Sequence, residues 1–145
     1  GTVADAAVAG GGRVHGIIPR HLERYEVGHR DIESLEVVET MHQRKMRMFE
    51  ESDAFCVLPG GLGTLDEMFE MVTWRQLGLH EKPVVLLNVA GFWDPLLALI
   101  RHQAAEGFVR AEHLPYLRVA QTPEQVLEEA SRAPAPTQPL ESKWA

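Results

Sequence analysis

Leu58-Pro59-Gly60-Gly61-Leu62-Gly63-Thr64-Leu65-Asp66-Glu67 is the stretch whose reading decides the fold. Ahead of it, Ala54-Phe55-Cys56-Val57-Leu58 is a short apolar run that reads as a buried parallel strand. Behind it, Leu65, Met68, Met71 and Val72 recur on one side of a helix. The glycines therefore occupy a strand-to-helix turn. Such a turn presents backbone N–H groups at a helix N-terminus, where the dipole favours an anion. Glycine also lets the chain approach a phosphate closely, because no Cβ intervenes. The spacing matches neither a Walker A loop nor the dinucleotide pattern Gly-x-Gly-x-x-Gly. A plainer alternative stands beside the phosphate reading: a tight turn without ligand, in which Thr64 and Glu67 form a capping box.

Working outward, the composition narrows the class. The 145 residues suit one domain, and an apolar share of 45% is ordinary for a globular chain. A net charge of −7 argues against a general nucleic-acid binder, which would carry a basic face. The single cysteine, Cys56, falls inside the expected strand and reads as a core residue; one cysteine allows no disulfide within the chain. That usage suits a reducing cytoplasm. No apolar run reaches the roughly 18 to 20 residues that span a bilayer. Gly1 to Val8 is already a helical pattern, with neither initiator Met nor preceding strand, which reads as a chain that does not show its true beginning.

In order, the pattern predicts a helix at Val3–Ala9 stopped by Gly10-Gly11-Gly12, and a strand at Val14–Ile18 ended by Pro19. His21 to Asp31 is polar and reads as a loop or short helix over a site. Leu35–Glu39 is strand-like, and Thr40 caps a helix from Met41 to Glu51. After the glycine turn a helix runs from Thr64 to about Leu77, closed by Gly78. A buried strand covers Pro83–Asn88. A helix follows at Asp94–Ala105, with Asp94 as N-cap and Pro95 at its first position. A weak strand at Leu117–Ala120 precedes a last helix opened by Thr122-Pro123. Alternating strands and helices imply an α/β fold, with a parallel sheet covered by helices on both faces. The Pro/Ala-rich residues 133–145 read as a disordered tail.

Met41-His42-Gln43-Arg44-Lys45-Met46-Arg47-Met48 is the second informative stretch. By helical spacing, Arg44, Met48 and Glu51 share one side. The bland reading is a methionine core stripe with a solvated basic face. The sharper one rests on topology, since ligands of open α/β sheets bind beyond the carboxyl ends of strands. An arginine there could meet the phosphate held by the turn. Glu67, Glu70 and Thr73 recur at every third position of the helix after the turn. Glu67 could orient ribose hydroxyls or activate water, and Asp66 could do part of this. The seven histidines show no metal-ligand spacing, and His42 reads as a packing or surface residue. Trp74 and Trp93 read as core or subunit-contact aromatics.

With both stretches in hand, the sequence resembles the LONELY GUY family of cytokinin riboside 5′-monophosphate phosphoribohydrolases, which are often labelled lysine decarboxylases. The family pattern Pro-Gly-Gly-x-Gly-Thr-x-x-Glu is matched at Pro59–Glu67, and Met-His-x-Arg-Lys at Met41–Lys45. The segments Gly12–Pro19, Thr73–Pro83 and Leu86–Trp93 are also similar. The resemblance implies a single Rossmann-like, nucleotide-binding catalytic domain over residues 1–132, forming a homodimer, and the cysteine usage makes its expected location cytoplasmic. It implies hydrolysis of the N-glycosidic bond of N6-substituted AMP, giving free cytokinin base and ribose 5-phosphate, with no metal or organic cofactor. It makes Arg44 and Glu67 the catalytic pair. It places Glu26, Lys45, Gly60, Gly61, Leu62, Gly63, Thr64, Leu65, Asp66 and Thr73 against the nucleotide, Glu26 by its spacing from Arg44. Family members carry a strand, a helix and a second strand ahead of the residues that match Gly1. These N-terminal strands are absent here, and a sheet without them would expose apolar faces and open edges. An AMP nucleosidase, or a non-catalytic nucleotide or molybdenum-cofactor carrier on the same fold, is the alternative.

Overall fold

A computed structural model of the chain describes residues 1–25 and 34–136. Two units are found, Gly1–Ser52 and a second that begins at Asp53. In both, strands are parallel and alternate with helices. The α/β expectation therefore holds, with the strands distributed over two sheets.

The first unit opens with α1, Thr2–Ala9. Its end is a Schellman turn: Gly11 N–H bonds Val8 C=O at 2.9 Å and Gly12 N–H bonds Ala7 C=O at 2.8 Å. Gly11 sits at φ 80, which only glycine adopts without strain. Strand β1 (His15–Pro19) pairs in parallel with β2 (Ser34–Val38), from His15 beside Ser34 to Pro19 beside Val38. A 3-10 helix, Arg20–Tyr25, leaves β1. Helix α2, Met41–Glu51, starts where the sequence predicts. Thr40 Oγ1 accepts Gln43 N–H at 3.1 Å, and Gln43 Oε1 accepts Thr40 N–H at 3.2 Å, which completes a capping box. No residue of α2 is fully buried, and Met41 is 37% exposed. The methionine stripe is thus a half-buried boundary and not a core, because a polar link fixes the helix on the sheet. Arg47 donates to Glu36 of β2 through Nε (2.8 Å) and Nη2 (3.1 Å).

The second unit holds β3 (Phe55–Val57), β4 (Val84–Leu87) and β5 (Leu117–Ala120) in that spatial order, all parallel. The central strand is buried along its whole length, as its unbroken Val-Val-Leu-Leu requires. Helix α3 is Leu62–Gln76, α4 is Asp94–Ala105 and α5 is Pro123–Ser131. Register puts Cys56, Val85, Leu87, Arg118 and Ala120 on one face. There Val85, Leu87 and Ala120 pack with Val126 and Ala130 of α5. The other face carries Phe55, whose ring lies edge-on to His80 at 6.2 Å; His80 in turn bonds Met71 C=O of α3. Helices therefore flank this sheet on both sides.

Three local expectations are corrected. Cys56 is exposed, not a core residue. It shares the α5 face, but α5 packs over β4 and β5 and stops short of the outer strand β3. Asp94 is the first residue of α4 and not its cap; its carboxylate accepts the Asn88 side-chain amide at 2.8 Å instead. The capping box at Thr64 and Glu67 is also absent, as described below. By contrast Thr122 caps α5 as expected, accepting Gln125 N–H at 3.3 Å, with Pro123 in the first turn.

Candidate active site

The glycine turn follows β3, and α3 begins two residues earlier than the sequence pattern implies. Gly61 is its N-cap, in extended conformation, and no side chain caps the helix. Thr64 then falls at the third helical position, too far along for a capping box, which needs the threonine at the cap itself. Its hydroxyl packs on Gly60: a Cβ there would lie 2.2 Å from Thr64 Oγ1. Gly60 is thus needed for close approach, whereas a Cβ on Gly61 or Gly63 meets nothing within 4 Å. The result is a first turn whose amides at Leu62, Gly63 and Thr64 have no side-chain cap. No acidic residue lies in that turn. Both features favour an anion at the helix end.

Along α3, Thr64 and Glu67 are half-buried beside the buried Met68 and Met71. Gly60 and Leu65 are half-buried; Gly61, Leu62, Gly63 and Asp66 are exposed. Thr73 is exposed and lies about 14 Å farther along the axis than Thr64, at 1.5 Å rise per residue. A step of three residues falls short of a full turn, so Thr73 lies about 120° around the helix from Glu67. Even spacing in the sequence thus does not put Glu67, Glu70 and Thr73 on one face of α3 over this length.

The other expected cations belong to the first unit. Arg44 and Lys45, both half-buried, are on α2. Arg44, Met48 and Glu51 line a cavity of about 400 Å³ with His15, Ile17 and Leu35, so the predicted shared side is real. Below them Arg47 is held by Glu36, by Glu50 at 3.0 Å and by Glu51 at 2.9 Å. These carboxylates raise the Arg47 pKa, and Arg47 holds the Glu36 carboxyl below its ordinary value. The sequence reading treats Arg47 as part of a solvated basic face; its role depends on register between α2 and β2, which no local pattern encodes. His42 is exposed and Trp93 buried, in line with their plainer readings. Glu26 lies outside the described residues. Among the described residues, no cluster of three or more His, Cys, Asp or Glu side chains could hold a metal ion.

The sequence model of the family described as "Possible lysine decarboxylase" matches residues 1–130. The chain belongs to this family. Among curated proteins it is 46% identical over 127 residues to a probable cytokinin riboside 5′-monophosphate phosphoribohydrolase of Oryza sativa subsp. japonica, covering 88% of this chain and 57% of that one. It is 51% identical over 110 residues to a cytokinin riboside 5′-monophosphate phosphoribohydrolase of Rhodococcoides fascians, covering 75% and 56%. A protein of the same name from Arabidopsis thaliana is 50% identical over 109 residues, covering 75% and 51%. The chain spans about half the length of the curated relatives it matches.

In this family member a further polar arrangement stands at the carboxyl end of β4, the strand next to the glycine-turn strand. Asn88 is buried; its Oδ1 accepts Trp93 N–H at 2.7 Å and its Nδ2 donates to Asp94 at 2.8 Å. The loop between them turns through Ala90 at φ 51 and Gly91 at φ 72. A left-handed alanine is strained, and the Asn88 bonds hold it there. Nothing in the sequence pattern singles out Asn88; the Gly91 that follows it was the available signal.

Proposed function

We propose that this chain cleaves the N-glycosidic bond of cytokinin riboside 5′-monophosphates. The observation that carries the reading is the glycine-initiated start of α3. Gly61 leaves the first-turn amides without a side-chain cap, and Gly60 seats the Thr64 hydroxyl beneath them. A dianionic 5′-phosphate suits that end by charge and by hydrogen bonding. Family membership and the names of the relatives support a nucleoside monophosphate as the molecule that carries it.

In this reading Arg44 and Lys45 supply cationic donors to the phosphate, and Arg44 fixes the ribose. Gly60 to Asp66 contact the nucleotide, with Glu26 and Thr73 as further contacts. Departure of the base builds positive character on the ribose carbon, which a nearby carboxylate stabilises, as in glycoside cleavage. Glu67 is that carboxylate; it orients the ribose hydroxyls or the attacking water. Water adds to the anomeric carbon, the base leaves with a proton, and ribose 5-phosphate remains. Phosphate binding remote from the reacting carbon serves orientation. The protein works as a homodimer in the cytoplasm, and its own side chains suffice for the reaction.

The test is incubation of the protein with isopentenyladenosine 5′-monophosphate and, separately, AMP, with assay of free base and ribose 5-phosphate. Release from the isopentenyl nucleotide in preference to AMP is expected. Equal or better release from AMP would make it an AMP nucleosidase. Nucleotide binding without base release would make it a carrier.

A further inference from the structure

Helix α5 ends at Ser131, and the residue after it, Arg132, has φ −73 and ψ 150, the values of a polyproline II chain. From there Ala133-Pro134-Ala135-Pro136 is gripped from two sides. Arg118 of β5, on the α5 face, donates to the C=O groups of Glu129, Arg132 (3.2 Å) and Ala133 (2.6 Å). Arg75 of α3 donates to Ala135 C=O, and the Tyr116 hydroxyl donates to Pro136 C=O at 3.3 Å. Arg75 is only 3% exposed; it also donates to His80 C=O at 3.0 Å and stacks over the Tyr116 ring at 4.8 Å. The segment thus passes from the α5 face of the sheet to α3, around β5, which is an outer strand. The void left where Pro134 and Ala135 meet Arg75, Tyr116 and Arg118 is about 10 Å³.

The chemistry of the two partners is one-sided. The groove offers donors: two guanidinium groups and a phenol. The segment offers acceptors, because two of its four residues lack an N–H, and each proline restricts itself and the alanine before it to extended conformations. Both guanidiniums are well matched to an extended row of carbonyls and poorly matched to a strand, which also needs acceptors opposite its N–H groups. We infer that Arg75, Tyr116 and Arg118 form a recognition groove for a proline-rich extended segment, occupied in cis by Ala133–Pro136, which straps the open edge of β5. This does not depend on the nucleotide reading. It gives the prolines a purpose, since an unpaired outer strand invites pairing with another chain and proline blocks it.

The test uses the chain shortened to end at Arg132 and an acetylated, amidated peptide of residues 132–136 added in trans, with shifts of the Tyr116 ring resonances as readout. The peptide should bind the shortened chain and leave the full chain untouched. A peptide with both prolines replaced by glycine should bind about tenfold more weakly, having lost its preorganised extended form. Equal binding of the two peptides, or none to a shortened chain that keeps its melting profile, would overturn the inference. If shortening unfolds the protein, tryptic cleavage at Arg132 of the full chain decides. Arg118→Gln should speed it by at least about tenfold, the scale of losing even one of its three charge-assisted bonds, while cleavage at Arg101 stays constant. Unchanged cleavage at Arg132 would equally refute the strap.

Discussion

Gly60 and Gly63 are a residue apart in role although both belong to one motif. At Gly60 a methyl group would collide with the Thr64 hydroxyl. Gly60→Ala should therefore cost about 1–3 kcal/mol of stability, as overpacking does, and weaken nucleotide binding as well. At Gly63, in the first turn of α3, a methyl group meets nothing. Gly63→Ala should raise stability by up to about 1 kcal/mol through helix propensity, yet weaken binding if a phosphate comes that close. Urea unfolding and AMP calorimetry on the pair separate the two; binding undiminished in Gly63→Ala would move the phosphate elsewhere. Glu67→Gln should leave binding within about threefold and lower base release by at least about a hundredfold, the scale of a lost acid–base group. Wild-type turnover in that variant would remove Glu67 from the reaction. His80 gives a stability signature. It is buried, its Nε2 donates to Met71 C=O at 2.8 Å and its Nδ1 accepts Lys82 N–H at 2.9 Å, so both nitrogens are committed in the neutral ring. Burial, then the charges of Arg75 and Lys82, hold its pKa below the ordinary value of 6.5. The unfolded chain takes up the proton first, so this contribution is complete above pH 6.5 and is lost as pH falls through the lowered folded value. Urea unfolding from pH 7.5 to 4.5 should show that decline, and His80→Gln should flatten it; an equal slope in both would assign it to other groups.

At the scale of elements, helix starts are where sequence and structure agree or part. Thr40 and Thr122 cap their helices, each accepting the N–H of a glutamine at the third position; the Gln43 side chain accepts Thr40 N–H in return, and the Gln125 side chain accepts the N–H of Gln121, one residue before the cap. Thr40→Ala should cost about 1 kcal/mol, seen as a lower urea midpoint at constant slope. No change in midpoint would mean that Arg47 and Glu36, not the cap, secure α2. Thr64 has the same local signature and is not a cap, because Gly61 ahead of it can take the extended cap conformation and start the helix sooner. Local chemistry admits both starts. Packing of Thr64 on Gly60 and burial of Met68 and Met71 select the earlier one. Cys56 is the matching case for a strand: its alternation was legible, but whether its face is covered depends on how far α5 reaches across the sheet.

Over the whole molecule, burial is uneven. In the second unit β4 is buried at every position and a cluster of Val85, Leu87, Ala120 and Val126 backs it. In the first unit Ile18 and Val38 are the buried apolar residues of β1 and β2, alongside Pro19, and neither helix has a buried residue. Short units bury a smaller share of their surface and are correspondingly marginal. Amides of β1 and β2 should thus exchange with solvent well before those of β4, by a factor of about 10² or more. Hydrogen exchange read by mass spectrometry checks this, and equal protection of the two sets would show that the first unit is stabilised by more than its own core.

What the sequence determined by itself was order and type of elements: parallel strands from unbroken apolar runs, helices from their caps and glycine stops, and a glycine turn between strand and helix. It also carried the family, through two motifs that are local in the chain. What only the tertiary structure decided was which local options prevailed and what long-range partners formed. Gly61 rather than Thr64 begins α3, Cys56 faces outward, Arg47 belongs to Glu36, and the carbonyls of the proline-rich end belong to Arg75 and Arg118. The reason is range: caps, turns and periodicity are settled within one or two turns of chain, whereas burial and ion pairing between distant residues exist only after strands have taken their register.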